Sequence, residues 1–130
     1  MDINAFFDAV IRKDRAALRG FFRADALIRW PCTGECFSLE DYLRANCEYP
    51  GDWAGEIERV ERCGDLTILV TRVWPRDRGT SFHAVSFLRC VDGRIAELDE
   101  YWADDGPPPT WRQALGLGQP LHTPQGEGAP

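Results

Sequence analysis

The sequence lacks the features that mark secreted, membrane-bound and metal-binding proteins. Asp2, Asn4 and Asp8 interrupt the apolar residues of positions 1–12, so we expect neither a signal peptide nor a membrane span there. The two histidines, His83 and His122, are far apart, which argues against a paired-histidine metal site. The 15 Lys and Arg residues are outnumbered by 21 Asp and Glu residues, and the resulting charge of −6 disfavours nucleic acid and anionic membranes as partners.

The cysteines indicate free thiols in a reducing compartment. Five are present, an odd number, and no secretion signal accompanies them, so a disulfide framework is not expected. Cys32 and Cys36 are four positions apart, which is not the CxxC spacing of zinc or redox sites. Inert thiols are the favoured interpretation for this pair over reactive ones, because no cationic partner is evident in the sequence. We expect a cytoplasmic protein with no metal and no organic cofactor.

The composition is typical of one globular domain, with 130 residues, of which 44% are hydrophobic and 28% are charged. Apolar residues recur at helical spacing in three stretches, which predicts helices at about 3–11, 16–22 and 39–47. Asp2 and Ser38 are suitable N-caps for the first and the third of these helices.

The remaining chain has the pattern of strands. A short strand is predicted at 26–30, and a meander of four strands at 53–62, 66–74, 80–91 and 94–102. The first strand of the meander alternates imperfectly, as an edge strand with a bulge would, and Asp92-Gly93 predicts the turn of the last hairpin.

Helices that come mostly before strands predict an α+β domain, in which three helices cover one face of a curved, mostly antiparallel sheet. The twist of long strands would leave a cone-shaped cavity between the two layers. We assign residues 1–112 to this domain and predict a disordered Gly/Pro-rich tail at 113–130.

Two stretches of sequence resemble a known family. They are 44–53 and 100–106, and the second follows the turn Asp92-Gly93-Arg94-Ile95. With this order of elements, the chain resembles the nuclear-transport-factor-2-like (NTF2-like) superfamily in its SnoaL-like branch, over about residues 1–112. The resemblance implies a cone-shaped α+β barrel. The superfamily includes isomerases, cyclases, dehydratases, epoxide hydrolases and non-catalytic binding proteins, so the fold alone does not determine the function.

Ketosteroid isomerases of this fold use a tyrosine, an acidic base and a protonated carboxylic acid. The resemblance places Phe6, Trp30 and Val85 at those three positions. None of them carries a titratable proton or a carboxylate, so this chain cannot build that catalytic machinery.

Polyketide cyclases of the SnoaL type carry an acidic residue seven positions after the hairpin glycine, and the resemblance assigns that place to Glu100. If the Asp92-Gly93 turn joins the last two strands, the numbers of the residues that pair across them add up to about 185. Val85 is then opposite Glu100, and His83 is opposite Trp102. His83 and Glu100 would then share one face as an acid–base pair for proton transfer. Alternatively, His83 is satisfied by a backbone carbonyl and Glu100 pairs with an arginine such as Arg72.

The predicted pocket is mostly apolar and suits a small hydrophobic molecule. Segment 48–53 is either a lid over its mouth or a turn that orients the third helix, and its aromatic residues are either ligand contacts or core. The predicted lining, apart from His83 and Glu100, is Phe6, Trp30, Tyr49, Trp53, Trp74, Val85, Phe87, Leu98 and Trp102.

These observations support two classes of function. One is a cofactor-independent isomerase, cyclase or dehydratase that uses His83 and Glu100. The other is a binding module without turnover, which either holds a hydrophobic metabolite or serves as an interaction surface. A homodimer is expected in either case, since superfamily members commonly pair through the outer sheet face, here the face of Glu97, Asp99 and Tyr101.

Overall fold

A computed structural model of the protein describes residues 1–77 and 79–121. Four helices and six strands are present there. The helices are α1 (Ile3–Arg12), α2 (Arg15–Arg19), α3 (Leu39–Cys47) and α4 (Thr110–Ala114), and the strands are β1 (Phe22–Trp30), β2 (Glu35–Phe37), β3 (Trp53–Cys63), β4 (Leu66–Pro75), β5 (Phe82–Val91) and β6 (Arg94–Asp104). Within the described residues, no helix has the length and apolar character needed to cross a membrane.

The predicted caps begin the first and third helices. Asp2 accepts hydrogen bonds from the backbone N–H groups of Asn4 and Ala5, both at 3.1 Å, and Ser38 accepts one from Asp41 at 3.2 Å. Each cap satisfies N–H groups that have no partner within the helix. Both N-cap predictions are confirmed.

The strands form one curved sheet in the order β2-β1-β6-β5-β4-β3. The β1–β6 pair is parallel and the other four pairs are antiparallel. We call the face covered by α1, α2 and α3 the inner face, and the opposite face the outer face. The core lies on the inner face, and its most deeply buried residues include Phe6, Leu18, Ile28, Leu43, Leu88, Ile95 and Leu98.

Two bulges change the sheet register. In β3, Ile57 pairs with Thr71 and Arg59 with Val70, so Glu58 is an extra residue, which confirms the bulge predicted there. In β6, Cys90 pairs with Ile95 but Arg89 pairs with Glu97, so Ala96 is an extra residue. The second bulge was not predicted, and it decides which side chains share a face.

Three other features differ from the prediction. The first strand begins at Phe22 instead of residue 26, so α2 ends earlier than predicted. Neither β2 nor α4 was predicted, because segments of three and five residues are too short to show a period. Helix α4 also crosses the predicted domain boundary at 112, while residues 122–130 of the predicted tail, with His122, lie outside the described residues.

Candidate functional site

Glu100 and His83 lie on opposite faces of the sheet. Beyond the bulge at Ala96, Glu100 is opposite Ser86 on the inner face, and His83 is opposite Ala103 on the outer face. A slip of one residue turns every side chain of a strand to the other face. The prediction that His83 and Glu100 form a pair on one face is therefore wrong.

Three predicted lining residues also lie on the outer face. Val85 and Phe87 lie on the outer face, since the residues of β5 that face the core are Ser86 and Leu88. Trp74 also faces outward, because it follows the buried Val73 in the alternation of β4. The interpretation of Val85, Phe87 and Trp74 as lining of the inner pocket is wrong.

The Glu100 carboxyl group is held by two donors on the inner face. The Trp30 indole N–H donates to Oε1 at 3.1 Å, and the Ser86 hydroxyl donates to Oε2 at 2.7 Å. Desolvation raises the pKa of Glu100, and although both hydrogen bonds lower it, the net shift is upward. The residue as a whole is partly exposed, whereas its carboxyl group is enclosed. Glu100 is thus an enclosed acid with a raised pKa at the edge of the aromatic core.

Tyr42 of α3 is a second polar group in this region. It is buried, and burial followed by the charge of Glu100 raises its pKa well above the usual value. No described residue forms a hydrogen bond with its hydroxyl group. Among the described residues that are not exposed, only Arg15 Nε is a side-chain polar atom that is both fully inaccessible and without a partner. The Tyr42 hydroxyl also has no partner but does not belong to this class, so part of its surface is accessible to water. Tyr42 therefore offers a neutral O–H donor near Glu100.

Aromatic rings surround these polar groups. The Trp30 ring packs edge-on against Phe37, Tyr42 and Trp102, with centroid distances of 4.5, 6.3 and 5.3 Å. Phe6 and Leu98, which were predicted to line the pocket, are buried in the core below. Trp30 and Trp102 keep partial exposure, so they form the part of the predicted lining that lies between Glu100 and solvent.

Segment 48–53 is fixed in place by Lys13. The Lys13 ammonium donates to the carbonyl oxygens of Tyr49 and Gly51, the latter at 2.7 Å. Tyr49 stacks on Trp53 at 5.3 Å, and the Trp53 indole N–H donates to the Pro50 carbonyl at 2.8 Å. The segment is thus a fastened turn with an exposed Tyr49, and its predicted role as a lid stays a prediction.

His83 belongs to a charged cluster on the outer face. Its Nε2 is 3.0 Å from Glu58, the bulge residue of β3, and its Nδ1 contacts Asp105. Desolvation lowers the pKa of His83, but Asp105 and Glu58 outweigh it, so the net shift is upward. Asp105 also accepts a hydrogen bond from Ser81 at 2.6 Å. Charge pairing on the surface explains this cluster without a catalytic role.

Two concavities on the described residues lie away from Glu100. One of about 330 Å³ lies between α1 and β3, and one of about 210 Å³ lies on the outer face near Tyr101. The cone-shaped cavity beside Glu100 stays a prediction. Within the described residues, no cluster of three or more His, Cys, Asp or Glu side chains could hold a metal ion. All five cysteines are free, and Cys32, Cys36 and Cys63 are exposed.

Two residues of the site were missed at the sequence level. Tyr42 was counted only as an apolar residue of the third helix, although a tyrosine on a buried helical face carries a hydroxyl group that needs a partner. The predicted register, with Val85 opposite Glu100, left out Ser86, which the bulge at Ala96 brings opposite Glu100. A serine between apolar residues of a strand likewise carries a hydroxyl group that needs a hydrogen-bond partner once it is buried.

Comparisons with known proteins agree with this architecture. A family model described as a SnoaL-like domain matches residues 3–98. The chain is similar to a provisionally named ketosteroid isomerase from Kribbella flavida, with 27% identity and a TM-score of 0.77 over 92% of this chain and 87% of that one. It is also similar in structure to an NTF-2 like protein of unknown function from Burkholderia xenovorans (23% identity, TM-score 0.74, 90% and 91% coverage). A provisionally named polyketide cyclase from Sinorhizobium meliloti gives 24% identity and a TM-score of 0.62 over 75% of this chain and 91% of that one. None of the curated proteins compared with the chain matches it.

Proposed function

The chain belongs to the SnoaL-like domain family, and from this premise we propose that it binds a small, mostly apolar molecule at the inner face of the sheet and exchanges a proton with it through Glu100. The reaction class is a cofactor-independent isomerisation, cyclisation or dehydration. One observation carries the proposal: a carboxyl group whose pKa is raised by burial is hydrogen-bonded by Trp30 and Ser86, and Trp30 and Trp102 beside it are partly exposed.

The chemistry follows from the neutral forms of two side chains. A protonated Glu100 donates a hydrogen bond to a carbonyl oxygen, and the Tyr42 hydroxyl supplies a second donor. As the proton of Glu100 passes to that oxygen, the Glu100 carboxylate that results accepts the proton that leaves the neighbouring carbon, so an enol forms and the acid is regenerated. The Tyr42 hydroxyl stabilises the negative charge that develops on oxygen. The names of two structural neighbours, a ketosteroid isomerase and a polyketide cyclase, support an apolar carbonyl compound as the ligand.

The test is a thermal-shift screen of apolar ketones and enones, followed by assays for turnover of those that raise the melting temperature. We expect Glu100→Gln to lower kcat by about 10²–10⁴-fold, because an amide cannot exchange the proton. Tyr42→Phe should lower kcat less, and Glu97→Gln on the outer face serves as the control with unchanged kcat. The rate should fall as pH rises through the pKa of Glu100, since the neutral acid is the active form.

Wild-type rates in Glu100→Gln would contradict the proposed chemistry. Ligand binding that quenches tryptophan fluorescence but gives no product would favour the second candidate, a binding module without turnover. The packing of Trp30 favours this second candidate. Its indole N–H already donates to one oxygen of Glu100, and its ring packs against Trp102, so these rings could hold a ligand without any proton transfer.

We also propose a homodimer that forms through the outer face. None of the helices in 1–77 and 79–121 covers this face, and Leu27 and Tyr101 on it are exposed. Its charged side chains are paired within the chain, with Arg29 bound to both Glu97 and Asp99, so one carboxylate is in excess there. A surface of this kind suits a second apolar sheet better than a partner of strong charge.

A further inference from the structure

The chain beyond β6 forms an arm, which we define as residues 106–121. Every residue from 103 to 121 is exposed. The large apolar side chains of the arm are Trp111, Leu115, Leu117 and Leu121, with exposed fractions between 56% and 91%. Such a concentration of exposed apolar side chains marks an interaction surface.

The arm is nevertheless regular. Gly116, at a φ of 64°, ends α4 in a Schellman motif, in which the Leu117 N–H donates to the Arg112 carbonyl at 3.2 Å. The Gln113 side chain donates to the Pro108 carbonyl at 2.6 Å. A helix of five residues is not stable alone in water, so these local bonds are insufficient to hold α4. The arm therefore needs a surface that its own domain does not supply.

The outer face carries a concavity that matches the arm. We call it the cleft; it has a volume of about 210 Å³ and is lined by Leu66, Phe87, Arg89, Glu97, Asp99 and Tyr101. Leu66, Phe87 and Tyr101 give it apolar walls large enough for one aromatic side chain.

The charge of the cleft is also complementary to the arm. Arg29 is 2.7 Å from Glu97 and 2.6 Å from Asp99, so two carboxylates share one guanidinium group. Arg89 is paired with Asp65 at 2.7 Å. One negative charge is therefore left over at the cleft. Within 106–121 the only charged residue is Arg112, directly after Trp111.

We propose that the cleft receives Trp111 from a second copy of this chain, with Arg112 of that copy beside Glu97 and Asp99. The inference rests on the proposed outer-face homodimer and adds to it a reciprocal exchange of arms. Within one chain, the cleft lies over the middle of β6, at positions 97–101, and Trp111 does not fill it, because 61% of Trp111 is exposed. A two-fold axis that runs across the strands makes the strands of the two copies antiparallel, so the end of one β6 approaches the other sheet.

A membrane surface is the weaker partner for the arm. The chain has a net charge of −6, which opposes anionic lipid, and a helix of five residues offers little area for insertion. A second copy provides both the apolar walls and the carboxylates that the arm lacks.

The experiment measures the dimer dissociation constant by sedimentation velocity for the full chain and its variants. We expect Trp111→Ala to raise this constant at least tenfold, and Arg112→Glu to raise it as well because it brings a carboxylate to Glu97 and Asp99. Tyr49→Ala is the matched control, since it removes an equally exposed aromatic side chain from the helix-covered side, and we expect less than a threefold change. Hydrogen exchange at 110–117 should slow as protein concentration rises through the dissociation constant.

Mixing of variants tests reciprocity. Trp111→Ala removes the arm contact, and Leu66→Glu blocks the cleft, so a dimer of either variant alone has no intact arm–cleft contact. A heterodimer of the two retains one such contact, between the arm of the Leu66→Glu chain and the cleft of the Trp111→Ala chain. We expect heterodimers to predominate. If Trp111→Ala dimerises like the wild type, the arm exchange is wrong while the outer-face homodimer stands. A monomeric wild type at all concentrations overturns both, and binding of the wild type but not of Trp111→Ala to phosphatidylglycerol vesicles overturns the exchange.

Discussion

At the scale of single residues, the pKa values of Glu100 and His83 are both raised, but for opposite physical reasons. Glu100 is shifted by desolvation, which disfavours its charged form. His83 is shifted because the carboxylates of Asp105 and Glu58 outweigh desolvation and favour its charged form. A carboxyl group with a raised pKa beside aromatic rings is suited to proton transfer, whereas an imidazole with a raised pKa between two carboxylates is suited to charge pairing at a surface.

The raised pKa of Glu100 predicts a pH-dependent stability. A group whose pKa is raised on folding contributes stability that is complete below its unfolded pKa and is lost as pH rises through its folded pKa. We therefore expect Glu100→Gln to become steadily more stable relative to the wild type as pH rises from about pH 4, the unfolded pKa of glutamate, to the raised pKa of the folded state. The measurement is the free energy of unfolding in urea at several pH values.

Glu40 supplies the control for this experiment. Its pKa is lowered by the hydrogen bond from Arg19, which outweighs desolvation. The linked stability is present above the unfolded pKa and is lost as pH falls, so the effect of Glu40→Gln should have the opposite sign to that of Glu100→Gln. Parallel curves for the two variants would contradict the assignment of Glu100 as a desolvated acid.

At the scale of elements, the close approach of α1 to β3 depends on Gly55. A Cβ atom at this position would lie 2.8 Å from Phe7 Cζ, 3.0 Å from the Arg72 carbonyl oxygen and 3.1 Å from Ile11 Cδ1. The carbonyl oxygen belongs to the backbone of β4 and cannot move without disturbing the sheet. Only glycine therefore leaves enough space at this position for α1 to pack against β3.

We expect Gly55→Ala to destabilise the protein by about 1–3 kcal/mol, as overpacking in a core does. Gly106→Ala is the control, because a Cβ atom there meets nothing within 4 Å, and it should change stability by less than about 0.5 kcal/mol. Urea denaturation compares the two. An equal effect of both substitutions would mean that α1 can move away from β3 at little cost.

At the scale of the whole molecule, the two faces of the sheet have different environments. The inner face is covered by three helices and holds the core, while the outer face keeps Leu27 and Tyr101 exposed with exposed fractions of 39% and 44%. An uncovered apolar face favours self-association, because a second copy removes it from water.

The mass of the protein in solution tests this pairing. We expect light scattering to give about twice the chain mass of 14.7 kDa for the wild type and the single mass for Tyr101→Glu. In the proposed interface the substitution adds a carboxylate beside Glu97 and Asp99, which is unfavourable without a further partner charge. A circular-dichroism melt should show that the variant stays folded. A dimeric Tyr101→Glu would place the interface elsewhere.

The sequence by itself determined the fold class and most of the elements. Local signals sufficed for the N-caps Asp2 and Ser38, the bulge in β3 and the Asp92-Gly93 turn, in which both residues have positive φ angles of 53° and 78°. The NTF2-like α+β fold predicted from the family resemblance is confirmed by the structural neighbours.

Tertiary structure alone decided which side chains meet. One extra residue, Ala96, changes the register of β5 against β6, and this places Ser86 instead of Val85 opposite Glu100 and moves His83 to the outer face. The physical reason is that side chains alternate along a strand with a period of two, so a bulge that leaves little trace in composition reverses every face assignment beyond it. Similarly, Tyr42 reaches the site only through the packing of α3 on the sheet, a contact between residues distant in sequence.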